Sequence, residues 1–124
     1  MEPKWEASQP IYLQIRDRVV TMLLDGVLKD GDPLPSVRSV AAEYRLNPLT
    51  VLKGYQMLVD QGLVESRRGK GMFVIEGARQ GLLGDRRRQF LEREWPEVLA
   101  TIERLGLDLD DLKTSAKARK ERGT

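Results

Sequence analysis

Cysteine and histidine are both missing from this chain of 124 residues. Without cysteine there is no disulfide framework and no thiolate chemistry, a composition that suits a reducing, cytoplasmic setting. Without histidine the commonest general base and the commonest metal ligand are gone, and a zinc site would fall to carboxylates alone. No glycine pattern of the form GxxxxGK[ST] or GxGxxG occurs, so no phosphate cradle for a nucleotide is legible. No apolar run reaches the roughly 18 residues of a membrane-spanning helix. Residues 1–6 lack the basic and then apolar regions of a secretory signal. These absences argue against an enzyme, against a metal or cofactor and against a membrane protein.

What is present is uneven charge. The net charge is only +2, but residues 1–35 carry four Lys/Arg against six Asp/Glu, residues 36–71 six against three, and residues 72–124 eleven against ten. The basic excess falls on the middle of the chain, as it does on surfaces that meet phosphate backbones.

That middle segment also holds the most telling local pattern, Leu46-Asn47-Pro48-Leu49-Thr50-Val51-Leu52-Lys53-Gly54-Tyr55. Asn47 suits a helix N-cap, and Pro48 suits the first helical position, where a missing N–H leaves nothing unsatisfied. Leu46 and Val51 take the places of a hydrophobic staple. Helical periodicity buries Val51, Tyr55, Leu58 and Val59 and turns Leu49, Leu52, Lys53 and Gln56 outward. A short helix with that outward face and basic neighbours reads as a DNA recognition helix. Its N-terminal part, with Asn47, Leu49, Thr50 and Lys53, is the part that reaches base edges in such motifs. Thr50 suits a phosphate or a thymine methyl, and Lys53 a phosphate or a guanine edge. Asn47 has capping as its simpler role. For Leu49 and Leu52 contact with thymine methyls and local packing both stay open.

Upstream, Ile11, Ile15, Val19, Met22 and Leu23 recur at helical spacing, with Gly26 as a stop. Residues 29–33 form a turn by composition. A second helix begins with Ser36 as N-cap and runs through Val37, Val40, Ala41 and Tyr44, and a third spans 48–61 with Gly62 behind it. The period then shortens. Residues 63–66 and 72–75 read as strands joined by Arg67-Arg68-Gly69-Lys70-Gly71, whose glycines permit positive φ at a tight tip. Three helices followed by a basic hairpin predict an α+β fold, a winged helix-turn-helix over residues 1–76. Ser36 and Arg38 would lie at the DNA-facing end of the second helix, and Arg67, Arg68, Gly69 and Lys70 would form the wing over a minor groove or flanking phosphates. The plainer readings are a surface arginine paired with a carboxylate and a solvated basic hairpin.

Residues 77–124 change character. Residues 85–94 read as helix, Pro96 should end or kink it, and 97–105 continue as helix. Asp108, with Asp111 three residues on, suits the cap of a last helix, so neither they nor Asp110 call for a metal. Arg86, Arg87 and Arg88 spread around the helix and are expected to be solvated or paired with Glu92 and Glu94. Past Ser115 there is almost no apolar face, and the tail is expected to be frayed or disordered. Phe90, Leu91, Trp95, Val98, Leu99, Ile102, Leu105, Leu109 and Leu112 form an apolar stripe that two helices cannot bury alone. A small all-α dimerisation segment, and hence a homodimer, is the expected answer.

Residues 10–75 resemble the DNA-binding domain of the GntR family of bacterial transcription regulators. The likeness is carried by four segments in order, at residues 10–15 (Pro-Ile-Tyr-Leu-Gln-Ile), 31–38 (Gly-Asp-Pro-Leu-Pro-Ser-Val-Arg), 47–51 (Asn-Pro-Leu-Thr-Val) and 67–74 (Arg-Arg-Gly-Lys-Gly-Met-Phe-Val). The segment with Phe-Leu-Glu-Arg-Glu-Trp-Pro at 90–96 and Leu-Gly-Leu-Asp-Leu-Asp-Asp-Leu at 105–112 is similar to the YtrA-type subfamily. The resemblance implies double-stranded DNA as the partner, a dimer on an inverted-repeat operator, and DNA contact by Arg38. It also implies a small dimerisation module in place of the effector domain of larger branches, with no cofactor and no identified small-molecule effector. Regulation would follow from promoter occupancy, by excluding RNA polymerase or by contacting it. Leu52 and Gly54 stand where polar residues and alanine are usual in the family, and Met72 where threonine is common. The alternative is a winged helix used as a protein-interaction module without sequence-specific DNA binding.

Overall fold

The computed structural model describes residues 5–122; residues 1–4, read above for a targeting signal, and 123–124, the end of the tail, lie outside the described residues. The chain forms two compact units, Met1–Leu83 and Gly84–Thr124. In the first, α1 (Ile11–Leu24), α2 (Val37–Tyr44) and α3 (Pro48–Asp60) precede a hairpin of β1 (Val64–Arg67) and β2 (Gly71–Val74); α4 (Ala78–Gln89) begins in the first unit and ends in the second. The hairpin is antiparallel, with Val64 opposite Val74 and Arg67 opposite Gly71. This is the winged helix-turn-helix that the periodicity predicts. Each strand is displaced by one residue from the run read in the sequence, because the tip closes with the Lys70 amide donating to the Arg67 carbonyl at 2.9 Å.

The core is built as the spacing requires. Ile15, Val19, Val20 and Leu23 of α1 meet Val51, Tyr55 and Leu58 of α3, with Leu28, Leu34, Leu63, Val64 and Val74 closing the cluster. Val59, expected inside, is only half-buried and packs at the margin. The approach of α1 to α3 is set by Gly54. A Cβ built there would lie 2.7 Å from the Tyr12 carbonyl oxygen and 3.1 Å from Ile15 Cγ2. Glycine thus lets two backbones come together where any side chain would hold them apart.

Between α2 and α3 the chain turns in three residues. Arg45 takes a left-handed conformation at φ 55°, the one non-glycine residue with positive φ among the described residues. Its amide and that of Leu46 both donate to the Ala41 carbonyl, which closes the end of α2. The strain this places on a residue with a Cβ is on the order of 1 kcal/mol.

The sequence reading of 29–33 as a plain turn is incomplete. Beyond the turn, in which the Lys29 amide meets Asp32 Oδ2 at 2.9 Å, the chain runs alongside β2 and forms a single antiparallel bridge, Pro33 to Phe73. Leu34 N donates to Met72 O at 2.8 Å, Val74 N to Asp32 O at 2.9 Å, and Gly31 N to Val74 O at 2.9 Å. Two further ties join distant parts. Asp30 Oδ2 accepts from Gly77 N at 2.8 Å, and the Arg79 guanidinium donates to the Leu23 and Leu24 carbonyls at 3.0 and 3.1 Å. The second places a cation on carbonyls at the C-terminal end of α1, where the helix dipole favours it.

In the second unit Pro96 does not end the helix. A five-residue π-helical turn, Phe90–Glu94, leads directly into α5 (Trp95–Arg104), with the Trp95 amide reaching the Phe90 carbonyl. The wider turn accommodates a proline that lacks a donor and crowds the preceding carbonyl. α6 (Leu109–Arg122) starts with the predicted reciprocal cap, Asp111 N donating to Asp108 Oδ1 at 2.8 Å and Asp108 N to Asp111 Oδ2 at 3.3 Å. The loss of structure expected past Ser115 does not occur, since α6 continues to Arg122. Alanine, lysine, arginine and glutamate are strong helix formers, and acid at the start with base at the end complements the dipole. Arg88 pairs with Asp85 at 3.4 Å rather than with Glu92 or Glu94.

Gly54→Ala should lower unfolding stability by about 1–3 kcal/mol, the range for overpacking a close contact, although alanine is intrinsically the better helix former by up to about 1 kcal/mol. Urea denaturation checks this; a stabilised variant would mean that α1 yields freely.

Candidate nucleic-acid interface

The N-terminal end of α3 forms as its residues dictate. Asn47 Oδ1 accepts from the Leu49 amide at 2.9 Å, and Pro48 opens the first turn. With Val51, Tyr55 and Leu58 drawn into the core, Leu49, Leu52, Lys53 and Gln56 are turned to solvent. Leu49 is 71% exposed and Leu52 40%, so both keep apolar surface that packing within the chain leaves uncovered. Thr50 is half-buried. Lys53 is exposed, with its ammonium held 4.0 Å from the centre of the Tyr12 ring, a cation–π contact that fixes its position.

The start of α2 is built by a serine pair. Ser36 Oγ accepts from the Ser39 amide at 3.1 Å, and Ser39 Oγ in turn donates to the Ser36 carbonyl. Arg38 projects from this first turn, exposed and with no ion pair or hydrogen bond among the described residues. The segment before it is fixed from α3, where the Tyr55 hydroxyl donates to the Pro35 carbonyl at 2.8 Å. Burial pushes the Tyr55 phenol up to about 12 from its ordinary 10.0, because the phenolate would lose its water.

At the wing, Gly69 (φ 76°) and Gly71 (φ 110°) make the tip that the sequence predicts. Its cations are not equivalent. Arg67 is bound to Glu65 at 2.9 Å and lies 4.2 Å from the centre of the Phe73 ring. Arg68 and Lys70 are exposed and have no such partner among the described residues. Ser36 and the tip residues Arg67, Arg68, Gly69 and Lys70 line one cleft, so the wing and the first turn of α2 face a shared space.

Sequence reasoning missed three contributors. Tyr12, which holds Lys53, lies 41 positions away from it, so local patterning could not reveal the pair. Tyr55 was expected only as core. Arg45 is an exposed cation without an ion pair among the described residues, in the tight turn before α3; the three-residue spacing from Tyr44 to Asn47 was its signal. In the second unit, Phe90, Leu91, Val98, Leu99, Leu105 and Leu109 are exposed, Trp95 and Leu112 are half-buried, and Ile102 is buried. Phe90 and Trp95 stack at 6.3 Å within the chain. No described helix is long and apolar enough to cross a membrane.

Comparisons with known proteins agree with this geometry. The profile of "Bacterial regulatory proteins, gntR family" matches residues 11–74. The uncharacterized HTH-type transcriptional regulator YhcF of Bacillus subtilis (strain 168) is 36% identical over 124 residues, covering 99% of this chain and 100% of its own. The HTH-type transcriptional repressor YtrA of the same organism is 33% identical over 106 residues, covering 86% of this chain and 81% of its own. Among solved structures, a GntR family transcriptional regulator from Listeria monocytogenes superposes with a TM-score of 0.69 at 27% identity, covering 92% of this chain and 98% of its own. The DNA-binding domain of AraR in complex with operator ORX1 superposes at 0.52 with 26% identity, covering 60% of this chain and 89% of its own.

Tyr55→Phe should cost about 1 kcal/mol at neutral pH, since it leaves the Pro35 carbonyl without its donor. The raised phenol also makes wild-type stability pH-dependent: its contribution is complete below pH 10, where the unfolded side chain is still neutral, and is lost as pH rises through about 12. In urea titrations of both proteins from pH 7 to 12, wild type should therefore lose its advantage above pH 10 and fall below Tyr55→Phe near pH 12, a total change on the order of 2 kcal/mol. A gap that stays constant across that range would rule out the buried phenol as the cause.

Proposed function

Because the chain belongs to the gntR family of bacterial regulatory proteins and is a DNA-binding transcription regulator of YtrA type, we propose that it works as a homodimer occupying an inverted-repeat operator. The observation that carries this reading is the exposed N-terminal half of α3 beside cations that have no ion pair of their own. Arg38, Arg68 and Lys70 would neutralise phosphates and set the orientation of the domain, a contribution that supplies affinity without sequence information. α3 would then enter the major groove with its first two turns against base edges. The wing, with Gly69 at its tip, would lie along the flanking backbone or minor groove. Arg67 would act mainly by stiffening β1, since its charge is already met by Glu65.

The dimer is supported by the second unit, whose apolar side chains at Phe90, Leu91, Val98, Leu99, Leu105 and Leu109 are left exposed in the single chain. A two-fold axis through such a surface would place two α3 helices on half-sites about one helical turn, some 10 base pairs, apart. Occupancy of a promoter in this form would repress by excluding RNA polymerase, and the similar YtrA protein is itself named a repressor.

Selection from a random duplex library by the purified chain should enrich an inverted repeat with that spacing; enrichment of an isolated half-site, or of no motif, would remove the operator proposal. Light scattering offers the second test. Wild type should run as a dimer of the 14.1 kDa chain, and Leu91→Glu/Val98→Glu should shift it to monomer without unfolding, since both positions are exposed. A wild type that is monomeric at micromolar concentration would sink the homodimer.

A further inference from the structure

We infer that α3 reads its operator through the C5-methyl groups of thymine, with Leu49 and Leu52 as the specificity-determining residues. This rests on the DNA-binding reading proposed above. Of the groups that base pairs present in the major groove, all but one are hydrogen-bond donors or acceptors; the thymine methyl is the apolar exception. The chemistry of the reading face therefore decides which bases it can favour.

On α3 that face is apolar at the end that reaches the bases. Leu49 and Leu52 are three residues apart, hence on one side of the helix, and they are 71% and 40% exposed. The polar side chains nearby are largely committed elsewhere. Asn47 uses its carbonyl oxygen as the helix cap. Thr50 is half-buried, and the Lys53 ammonium is drawn onto the Tyr12 ring. The two leucines thus give the first two turns an exposed apolar surface. Against a base pair without a methyl they would cover donors or acceptors without replacing their hydrogen bonds to water, which is unfavourable. Against thymine they would bury methyl on methyl.

A protein partner could also take up two exposed leucines. The cations at Arg38, Arg45, Arg68 and Lys70, with no ion pairs among the described residues, make the surroundings electropositive and favour a polyanion. The protein partner is accordingly an outcome of the test rather than the proposal.

The test uses the full chain and the duplex that it selects. Each thymine of a half-site is replaced in turn by deoxyuridine, which removes the C5-methyl and leaves pairing intact. Binding by wild type should weaken about fourfold for each methyl covered, the equivalent of about 0.8 kcal/mol per apolar carbon. For Leu49→Ala/Leu52→Ala, checked for an unchanged thermal midpoint, thymine and deoxyuridine duplexes should bind alike; Leu49→Ser alone gives the same comparison if the double variant is unstable. Equal wild-type affinity for both duplexes would overturn the methyl reading and leave the regulator reading in place. The same discrimination in wild type and variant would overturn the assignment to these leucines. Failure to select any duplex would overturn both readings and return α3 to a protein partner.

Discussion

The placement of the whole DNA-facing surface depends on how the segment 31–36 is held. On one edge it is bonded to β2 through three backbone pairs, and on the other the Tyr55 hydroxyl holds its Pro35 carbonyl. Leu34 is buried between these ties. The hairpin, the start of α2 and the body of α3 are therefore referred to one short piece of chain. Its two prolines have fixed φ and lose little conformational freedom on folding, which suits a segment that must be ordered without a long ladder. The glycine contact between α1 and α3 completes the frame from behind, because it fixes how far α3 stands from the rest of the core.

On that frame the side chains divide into those that position and those that select. Arg67, paired with Glu65 and lying over Phe73, has its charge largely answered within the hairpin. An exposed pair of this kind adds little stability, and its effect is to hold β1 straight beneath the tip. Arg68 and Lys70, which have no ion pair among the described residues, would keep their charge for phosphates in the proposed complex. Such contacts release counterions and are blind to sequence. In that complex selection would be left to α3, where the exposed leucines and the tethered Lys53 offer a narrow chemical vocabulary. A surface that is strongly cationic around an apolar centre therefore separates affinity from specificity more sharply than one in which arginines do both.

Features that depend on near neighbours were legible in the sequence. The caps at Ser36, Asn47 and Asp108 each rest on a side chain and an amide two or three residues away, and all three form as read. The two strand-like runs, each to within one residue, and the glycine tip were legible for the same reason. What escaped were bonds between distant parts. The bridged segment at 31–34 is too short and proline-rich to announce itself by alternation. The Arg79 clamp on α1 spans 55 and 56 positions, and the Lys53–Tyr12 contact joins two helices. At Pro96 the sequence leaves an end or a kink open, and of these the end does not occur. A single widened turn meets the steric demand of the proline and keeps the helix running. In the tail the lack of an apolar face predicts a loss of structure, whereas strong helix formers and a charge order that suits the dipole favour the continuation of α6 to Arg122.

The second unit shows what those local terms leave undone. Among its described residues Ile102 is the one buried apolar side chain, while Leu91 and Leu105 are 59% and 64% exposed. Fixing each residue's backbone costs roughly 1–2 kcal/mol of conformational entropy, and helices of this length are marginal on propensity alone. The unit therefore needs cover over its apolar row to be as ordered as the winged domain. In the proposed dimer a second copy supplies it, and the stability of this part then depends on protein concentration by mass action. Dilution would separate the copies and loosen the helices together. The same event would remove the second α3 from the operator, so that assembly, order in the second unit and promoter occupancy would rise and fall as one equilibrium.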